Sequence, residues 1–321
     1  MPNYFVCGGA GFIGAHLVNR ILSEEKNARV AVYDNFSSGS MRYLKELKSR
    51  RNLKIIKADI KELNRLSKAM RGADIVYHLA SNPDIAKAIR QPEIDFWEGT
   101  YLTNNVLEAM RKNNARTLLY ASGSGVYGDV GSLEVSEDYT PLVPVSTYGA
   151  SKLSGEALIS AYCHMFKMDA CSLRLANVVG PGQTHGVGLD FIRKLLKTPR
   201  QLSILGDGRQ SKSYLYIDDA ISAMRLLENN MPGLFSSYNV ATADYLTVKE
   251  IADIAVELMG LHGVKYVYSG GDRGGKGDVP VVRLNSAKIR KLGWKNQYTS
   301  KEAMYLSIKS MYAEAKTKTG S

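Results

Sequence analysis

The 321-residue sequence lacks the features that would tie it to a membrane, a metal or an oxidising compartment. It has no run of about 18 apolar residues, so no membrane-spanning helix is expected. The opening stretch, "MPNYFVCGGAGFIG", has no basic region ahead of its apolar part, so no secretory leader is expected. Only three cysteines occur, Cys7, Cys163 and Cys171, and their spacing matches no metal-binding pattern. They read as reduced core thiols of a cytoplasmic protein. The five histidines are scattered and make no metal cluster. Internal repeats and low-complexity linkers are absent. The two tryptophans, Trp97 and Trp294, read as core or interface residues. Acidic residues are outnumbered, giving a net charge of +11, but Lys and Arg are spread along the chain. Without aromatic residues interleaved among them, this favours solvated basic faces that attract anionic small molecules over nucleic-acid binding.

What is present is an alternation. Short β-rich runs at Tyr4–Cys7, Val30–Tyr33, Lys54–Lys57, Ile75–Leu79, Thr117–Ala121 and Cys171–Leu175 are separated by amphipathic stretches. Those stretches predict helices over Phe12–Glu25, Met41–Lys48, Glu62–Met70, Glu93–Lys112 and Ser146–Phe166. The β-α-β rhythm predicts an α/β fold, a doubly wound parallel sheet covered on both faces. After residue 176 the spacing becomes irregular. A first domain over 1–176 and a smaller C-terminal lobe over 177–210 and 241–321 are expected, with a segment near 211–240 returning to the first domain.

"CGGAGFIG" spaces Gly8, Gly11 and Gly14 between a strand and a helix. Glycines there permit a tight turn, close backbone approach to a pyrophosphate and close helix–strand packing. Asp34 follows Gly14 by 20 residues, at the end of the second strand. A carboxylate in that place binds both ribose hydroxyls and repels a 2′-phosphate, which favours NAD over NADP. Asp59 and Ile60, after the third strand, are placed to meet the adenine, or Asp59 caps a helix. A second cluster, "GGDRGGKG" from Gly270 to Gly277, mimics a P-loop. Gly277 stands where magnesium would need Ser or Thr, so a loop that closes over an anion fits better.

"YGASK" places Tyr148 and Lys152 four residues apart on one helix face. A tyrosine near pKa ~10 is a poor base at neutral pH. A neighbouring ammonium and a positive nicotinamide ring would lower that value, making an acid/base pair for hydride transfer. With "DNFSSG", "HLAS", "VYGD", "ANVVGP", "LGDGRQSKSYLYIDD" and "KGDVP", the chain resembles the extended short-chain dehydrogenase/reductases nearly end to end. Within them it is similar to the NAD-dependent sugar-nucleotide epimerases, and among these to archaeal-type UDP-glucose/UDP-galactose 4-epimerases. The resemblance implies a Rossmann-type fold and a cofactor set extended to Phe12, Ile13, Asn35, Ser38, Gly39, Leu79, Ala80 and Ser81, with His78 packed on the cofactor side. It implies that Tyr148 takes the sugar 4-hydroxyl proton while C4 gives up hydride, which then returns to the other face. Asn177 and Lys212 would face the diphosphate of a UDP-sugar, Asp278 the uridine ribose, and His185 the uracil. Arg273 and Lys276 would add charge from the glycine loop, whose usual arginine place holds Gly275. Each has a plainer reading: Asn177 as a turn residue, Lys212 as a surface cation, Asp278 as a loop cap, His185 as a loop residue. A homodimer through a four-helix bundle of Glu93–Lys112 and Ser146–Phe166 is also implied.

One departure is local. The family places Ser or Thr three residues before the Val of "VYG", where it bridges substrate and tyrosine; here that residue is Gly123. Gly99, Ala86 and Ala88 likewise stand at places that often carry polar groups. Three accounts are open. Ser122 or Ser124 replaces the hydroxyl, a different nucleotide sugar is used, or the protein binds NAD and nucleotide sugar with little turnover. Ser124 and Gly125 stand where 4,6-dehydratases carry an Asp-Glu pair, and Gly125 and Ala86 lack the groups of decarboxylating relatives. Both omissions favour epimerisation.

Overall fold

The computed structural model describes residues 1–82, 85–275 and 277–319, with side chains 85, 86, 318 and 319 outside the description. Chain order begins β1 (Asn3–Cys7), α1 (Phe12–Glu24), β2 (Arg29–Asp34), β3 (Leu53–Lys57), α2 (Leu63–Ala69) and β4 (Ile75–His78). It continues α3 (Ile85–Arg90), α4 (Tyr101–Asn113), β5 (Thr117–Gly123), β6 (Glu134–Val135), α5 (Thr147–Phe166) and β7 (Asp169–Leu175). Then come β8 (Asn177–Val179), α6 (Val187–Lys197), β9 (Gln201–Ile204), β10 (Ser211–Lys212), β11 (Tyr214–Tyr216), α7 (Ile217–Glu228) and β12 (Phe235–Val240). The chain closes with β13 (Leu246–Thr247), α8 (Val248–Leu258), β14 (Lys265–Tyr268), β15 (Val281–Leu284), α9 (Ala287–Lys291) and α10 (Ser300–Thr319).

The chain divides into two compact units. The first comprises Met1–Val126, Thr147–Arg174 and Ile221–Tyr238. Its seven-stranded sheet has the order β12-β7-β5-β4-β1-β2-β3, with β3, β2, β1, β4 and β5 paired in parallel. Order reverses at β1, between β2 and β4, which is the switch point where doubly wound sheets bind ligands. The strands read as continuous apolar runs because both faces are covered. Phe5, Cys7, Val76, Leu118 and Tyr120 pack with Leu102, Val106 and Met110 of α4 and Ile159 of α5. Leu17, Val18, Ile21 and Leu22 of α1 are fully buried.

The second unit comprises Tyr127–Ser146, Leu175–Ala220 and Asn239–Ser321. It holds a four-stranded sheet, β13-β10-β15-β6, and the pairs β8–β11 and β9–β14. Its core gathers Phe191, Ile192 and Leu195 of α6, Ile251 and Ala255 of α8, and Met304 and Ile308 of α10. The boundaries differ from those expected of the sequence. Tyr127–Ser146 joins the second unit because β6 pairs with β15, and the returning segment narrows to Ile221–Tyr238.

Two local readings also change. Met41–Leu47 is a 3-10 helix that follows the Ser40 N–H bond to the Ala10 carbonyl at 2.9 Å. The long helix expected over Glu93–Lys112 is interrupted by a π turn at Phe96–Thr100, where the Thr103 hydroxyl bonds the Gly99 carbonyl at 2.9 Å. Gly99 sits in this turn for packing reasons, since a Cβ there would lie 2.7 Å from Ser151 Oγ. Among the described residues no helix is long and apolar enough to cross a membrane, and no group of three or more His, Cys, Asp or Glu could hold a metal.

α5 is tied to the sheet by a buried ion pair. Arg174 on β7 donates to both carboxylate oxygens of Glu156, with Nη2–Oε2 at 2.7 Å, and the Ser172 hydroxyl donates to the same carboxylate at 2.9 Å. The two side chains are 5% and 4% exposed. Removing one partner strands the other charge. Glu156→Ala is expected to cost about 3–5 kcal/mol of unfolding free energy, read by urea denaturation.

Candidate active site

β1 ends in the glycine turn. Gly8 adopts φ 78°, and a Cβ there would sit 2.8 Å from the Ala80 nitrogen, just beyond β4. A Cβ on Gly14 would come within 2.3 Å of the Gly8 carbonyl oxygen, so only hydrogen lets α1 start this close to the strand. Gly11 N–H bonds the Gly8 carbonyl at 3.1 Å and Gly11 caps α1 without a side-chain bond. The N–H groups of the first turn, including those of Phe12 and Ile13, are thus presented by a helix end suited to a diphosphate. Sequence spacing passed over Gly9, yet a Cβ there would meet Val32 at 2.9 Å. The signal was present as the first two glycines of "GGAG".

Asp34 ends β2 and is 8% exposed. Its oxygens accept from the Ala10 N–H at 2.9 Å and the Phe36 N–H at 2.8 Å. Burial raises its pKa while these two N–H groups oppose the rise, and each oxygen retains a lone pair for a ribose hydroxyl. Gly39 lies close by, since a Cβ there would be 3.0 Å from Asp34 Oδ1. Ser38 is exposed beside it. Asn35 donates to Asp59 Oδ2 at 3.0 Å, and Asp59 Oδ1 accepts from the Lys61 N–H at 2.9 Å. The Asp59 carboxylate thus closes a short turn ahead of α2 and does not cap the helix, whose N-cap is Glu62. Ile60 is 5% exposed and belongs to the core cluster. Leu79 follows β4, its N–H bonding the Cys7 carbonyl at 3.0 Å, and Ala80 and Ser81 continue that edge. Among the described side chains, the glycine cradle that a Cβ would fill and the carboxylate at the tip of β2 fit a dinucleotide.

Tyr148 and Lys152 lie on the first turns of α5 in the same unit. Lys152 is 3% exposed, and its ammonium donates to the Ala121 carbonyl at 2.7 Å while standing 5.5 Å from the Tyr148 ring centroid. Burial lowers the Lys152 pKa to about 8, against the upward pull of Asp95 and Glu156. Tyr148 is shifted upward by the protein's own groups. Burial first, then Asp95, push its pKa up to about 12. The lysine does not outweigh desolvation, so a low phenolate pKa requires charge that the protein's own groups do not supply. His78 is fully buried, and desolvation followed by Lys152 holds its pKa down at about 3. It is a neutral ring bonded to Thr103 Oγ1 at 3.0 Å. Ser122 is 4% exposed, and its hydroxyl has no hydrogen-bond partner among the described residues. Ser124 begins a half-buried 3-10 turn. A Cβ on Gly125 would sit 3.4 Å from Gly149 Cα and 3.9 Å from Tyr148 Cδ1, so this strand end runs against the Tyr148 turn. Sequence reading missed Asp95, a 1% exposed carboxylate that accepts from Thr147 Oγ1 at 2.7 Å.

In the second unit Lys212 and Asp278 pair at 2.5 Å. Asp278 also accepts from the Gly274 N–H at 3.1 Å, as a loop cap would. Arg273 bonds the Asp278 carbonyl at 3.2 Å and pairs with Asp129 Oδ2 at 2.5 Å; Asp129 was not anticipated. Asn177 is exposed on β8, its N–H bonding the Ser213 carbonyl beside Lys212 at 3.3 Å. His185 is exposed and bonds its neighbour Thr184 at 3.2 Å. Lys276 and the Ala86 side chain lie outside the described residues.

Comparison with known proteins decides the family. Residues 4–241 match the model of the NAD dependent epimerase/dehydratase family. The chain belongs to that family. It is 31% identical to a Methanocaldococcus jannaschii protein provisionally assigned as a UDP-glucose 4-epimerase, over 93% of this chain and 95% of that one. A crystal structure of a UDP-galactose 4-epimerase superposes with a TM-score of 0.85 at 35% identity, covering 97% of this chain and 99% of that one. The human dTDP-D-glucose 4,6-dehydratase is 26% identical over 94% of this chain and 88% of its own length. The cofactor of this family is NAD.

Asp34→Ala removes the carboxylate at the tip of β2, which would face a ribose and repel a 2′-phosphate. NAD affinity is expected to fall about tenfold or more and NADP affinity to rise toward it, read by calorimetric titration with both dinucleotides.

Proposed function

We propose that the protein is a UDP-sugar 4-epimerase of the UDP-glucose/UDP-galactose type. The observation that carries this reading is the Lys152 ammonium, anchored on the Ala121 carbonyl at 2.7 Å and 5.5 Å from the Tyr148 ring, at the end of the strand that leads into Ser122 and Gly123. Gly8, Gly11, Gly14 and Asp34 hold the dinucleotide. When bound, NAD supplies the hydride acceptor and the positive ring charge that favours a phenolate. Tyr148 accepts the proton of the sugar 4-hydroxyl and later returns it. Lys152 stabilises the phenolate through its charge and keeps the Tyr148 face of α5 oriented. Ser122, with a buried hydroxyl free to bond, takes the role that a Ser or Thr at Gly123 would have had. Lys212 and Arg273 carry the charge for a diphosphate, with Asn177 beside them; Asp278 bonds a ribose and His185 lies toward the base.

A second reading, epimerisation of another nucleotide sugar, is favoured by Gly123, which carries no hydroxyl where relatives place Ser or Thr. Dehydration is disfavoured because Ser124 and Gly125 occupy the places of the acidic pair. A homodimer through α4 and α5 belongs to the same reading. Exposed Trp97, Met165 and Phe166, at 47%, 70% and 37%, lie beside or on those helices. A cytoplasmic setting accords with three buried cysteines that form no disulfide.

The test is product analysis by NMR after incubation with NAD and UDP-galactose, UDP-N-acetylglucosamine, UDP-glucuronate or dTDP-glucose. UDP-glucose formed from UDP-galactose supports the first reading. Conversion of only another UDP-sugar supports the second. A 4-keto-6-deoxy product, or no product from any of them, contradicts both. Ser122→Ala is expected to lower kcat by about 10²–10³, the usual loss for one positioned donor, and a rate within twofold of wild type would remove Ser122 from the mechanism. The rate is expected to fall above about pH 8, where Lys152 loses its proton, with no inflection near neutrality from His78. A kcat profile across pH 5–10 checks both.

A further inference from the structure

The first turn of α5 is held from outside by the segment preceding α4, at two points. At the first, Asp95 Oδ2 accepts from Thr147 Oγ1 at 2.7 Å, and Thr147 is the first residue of α5, directly before Tyr148. At the second, one turn along, Gly99 lies so close to Ser151 that any Cβ would be 2.7 Å from its hydroxyl, which itself bonds the Tyr148 carbonyl at 2.8 Å. Asp95 is in turn fixed by the Asn82 amide, donating to Oδ1 at 2.9 Å. Both donors to Asp95 are uncharged, and the carboxylate is 1% exposed. The two donors take one carboxylate oxygen each, an arrangement that an amide, with a single acceptor oxygen, or an apolar residue would not satisfy, and the same carboxylate acts electrostatically on the buried Lys152 ammonium.

We infer that Asp95 is a positioning residue for the Tyr148–Lys152 pair. Its carboxylate fixes the start of the catalytic helix through Thr147 and sets the negative potential around the buried ammonium. The inference rests on the proposed acid/base role of that pair. Among the described residues, the ionisable groups facing the pair are Glu156 on α5, His78 on β4, Tyr120 on β5 and Asp95 itself. His78 is a neutral ring, and Glu156 is already committed to Arg174. Asp95 raises the proton affinity of both Lys152 and Tyr148. Its removal thus favours the amine and the phenolate alike, and both limbs of a pH–rate profile should move to lower pH.

The experiment separates position from charge. Thr147→Val deletes the hydroxyl and leaves every charge in place. It is expected to lower kcat about tenfold, with KM within twofold and the pH profile unmoved, as a small misplacement of the helix would do. Thr147→Ser restores the hydroxyl and should return kcat to within twofold of wild type. Asp95→Asn is expected to lower kcat about 10–100-fold and to draw the alkaline limb below about pH 8. The second readout is independent of turnover. The [13Cε]lysine NMR signal that disappears in Lys152→Met reports the Lys152 titration directly, and in Asp95→Asn it should fall below the wild-type value. A wild-type rate and an unmoved Lys152 titration in Asp95→Asn would overturn the inference. If the wild-type protein converts no nucleotide sugar, the proposed function fails and the NMR titration alone decides on Asp95. If Asp95→Asn does not fold, the Thr147 pair decides, and wild-type kcat in Thr147→Val overturns the inference.

Discussion

A lysine ammonium that is 3% exposed is among the most demanding groups the first unit has to accommodate. Burial pulls its pKa down to about 8, and what keeps it charged is a short bond to the Ala121 carbonyl together with the negative potentials of Asp95 and Glu156. Each of these supports is built by a different part of the fold. Ala121 belongs to β5, Glu156 is fixed by Arg174 from β7, and Asp95 comes from the segment before the π turn. The arrangement is costly in solvation and has no use in a helix that only packs. It gains a purpose once Tyr148, one turn away, must exchange a proton.

The dinucleotide end is set by sterics more than by charge. Gly8 and Gly14 allow β1, α1 and the residues after β4 to approach to distances that any Cβ would block. This brings the start of α1 to the switch point of the sheet, beside the Asp34 carboxylate at the tip of β2. The second unit carries its own charged group, Lys212 with Asp278 and Arg273 with Asp129, on short strands and a glycine loop.

Much of the first unit was legible in the sequence because its signals are local. Apolar runs of strand length, glycines at fixed spacing and a Tyr–Lys pair one turn apart each act over a few residues. What escaped depends on contacts distant in sequence. Asp95 meets Thr147 across 52 residues, and no periodicity marks it. The π turn is accompanied by the Thr103 hydroxyl bonding the Gly99 carbonyl and His78 in turn bonding that hydroxyl, contacts that spacing does not encode. Asp59 was placed correctly after β3, but only Asn35 and the Lys61 N–H reveal that its oxygens are already engaged. The desolvation that raises the Tyr148 pKa in the protein alone likewise cannot be read from neighbours in sequence.

The central claim is that the Tyr148 hydroxyl moves the sugar proton. Its most direct test is kcat for Tyr148→Phe on a nucleotide sugar the wild-type protein converts, with the Kd of that sugar measured alongside. The account predicts a loss of at least ~10²–10⁴, the range for a positioned acid/base, at an unchanged Kd. A Phe variant that turns over within tenfold of wild type would contradict it.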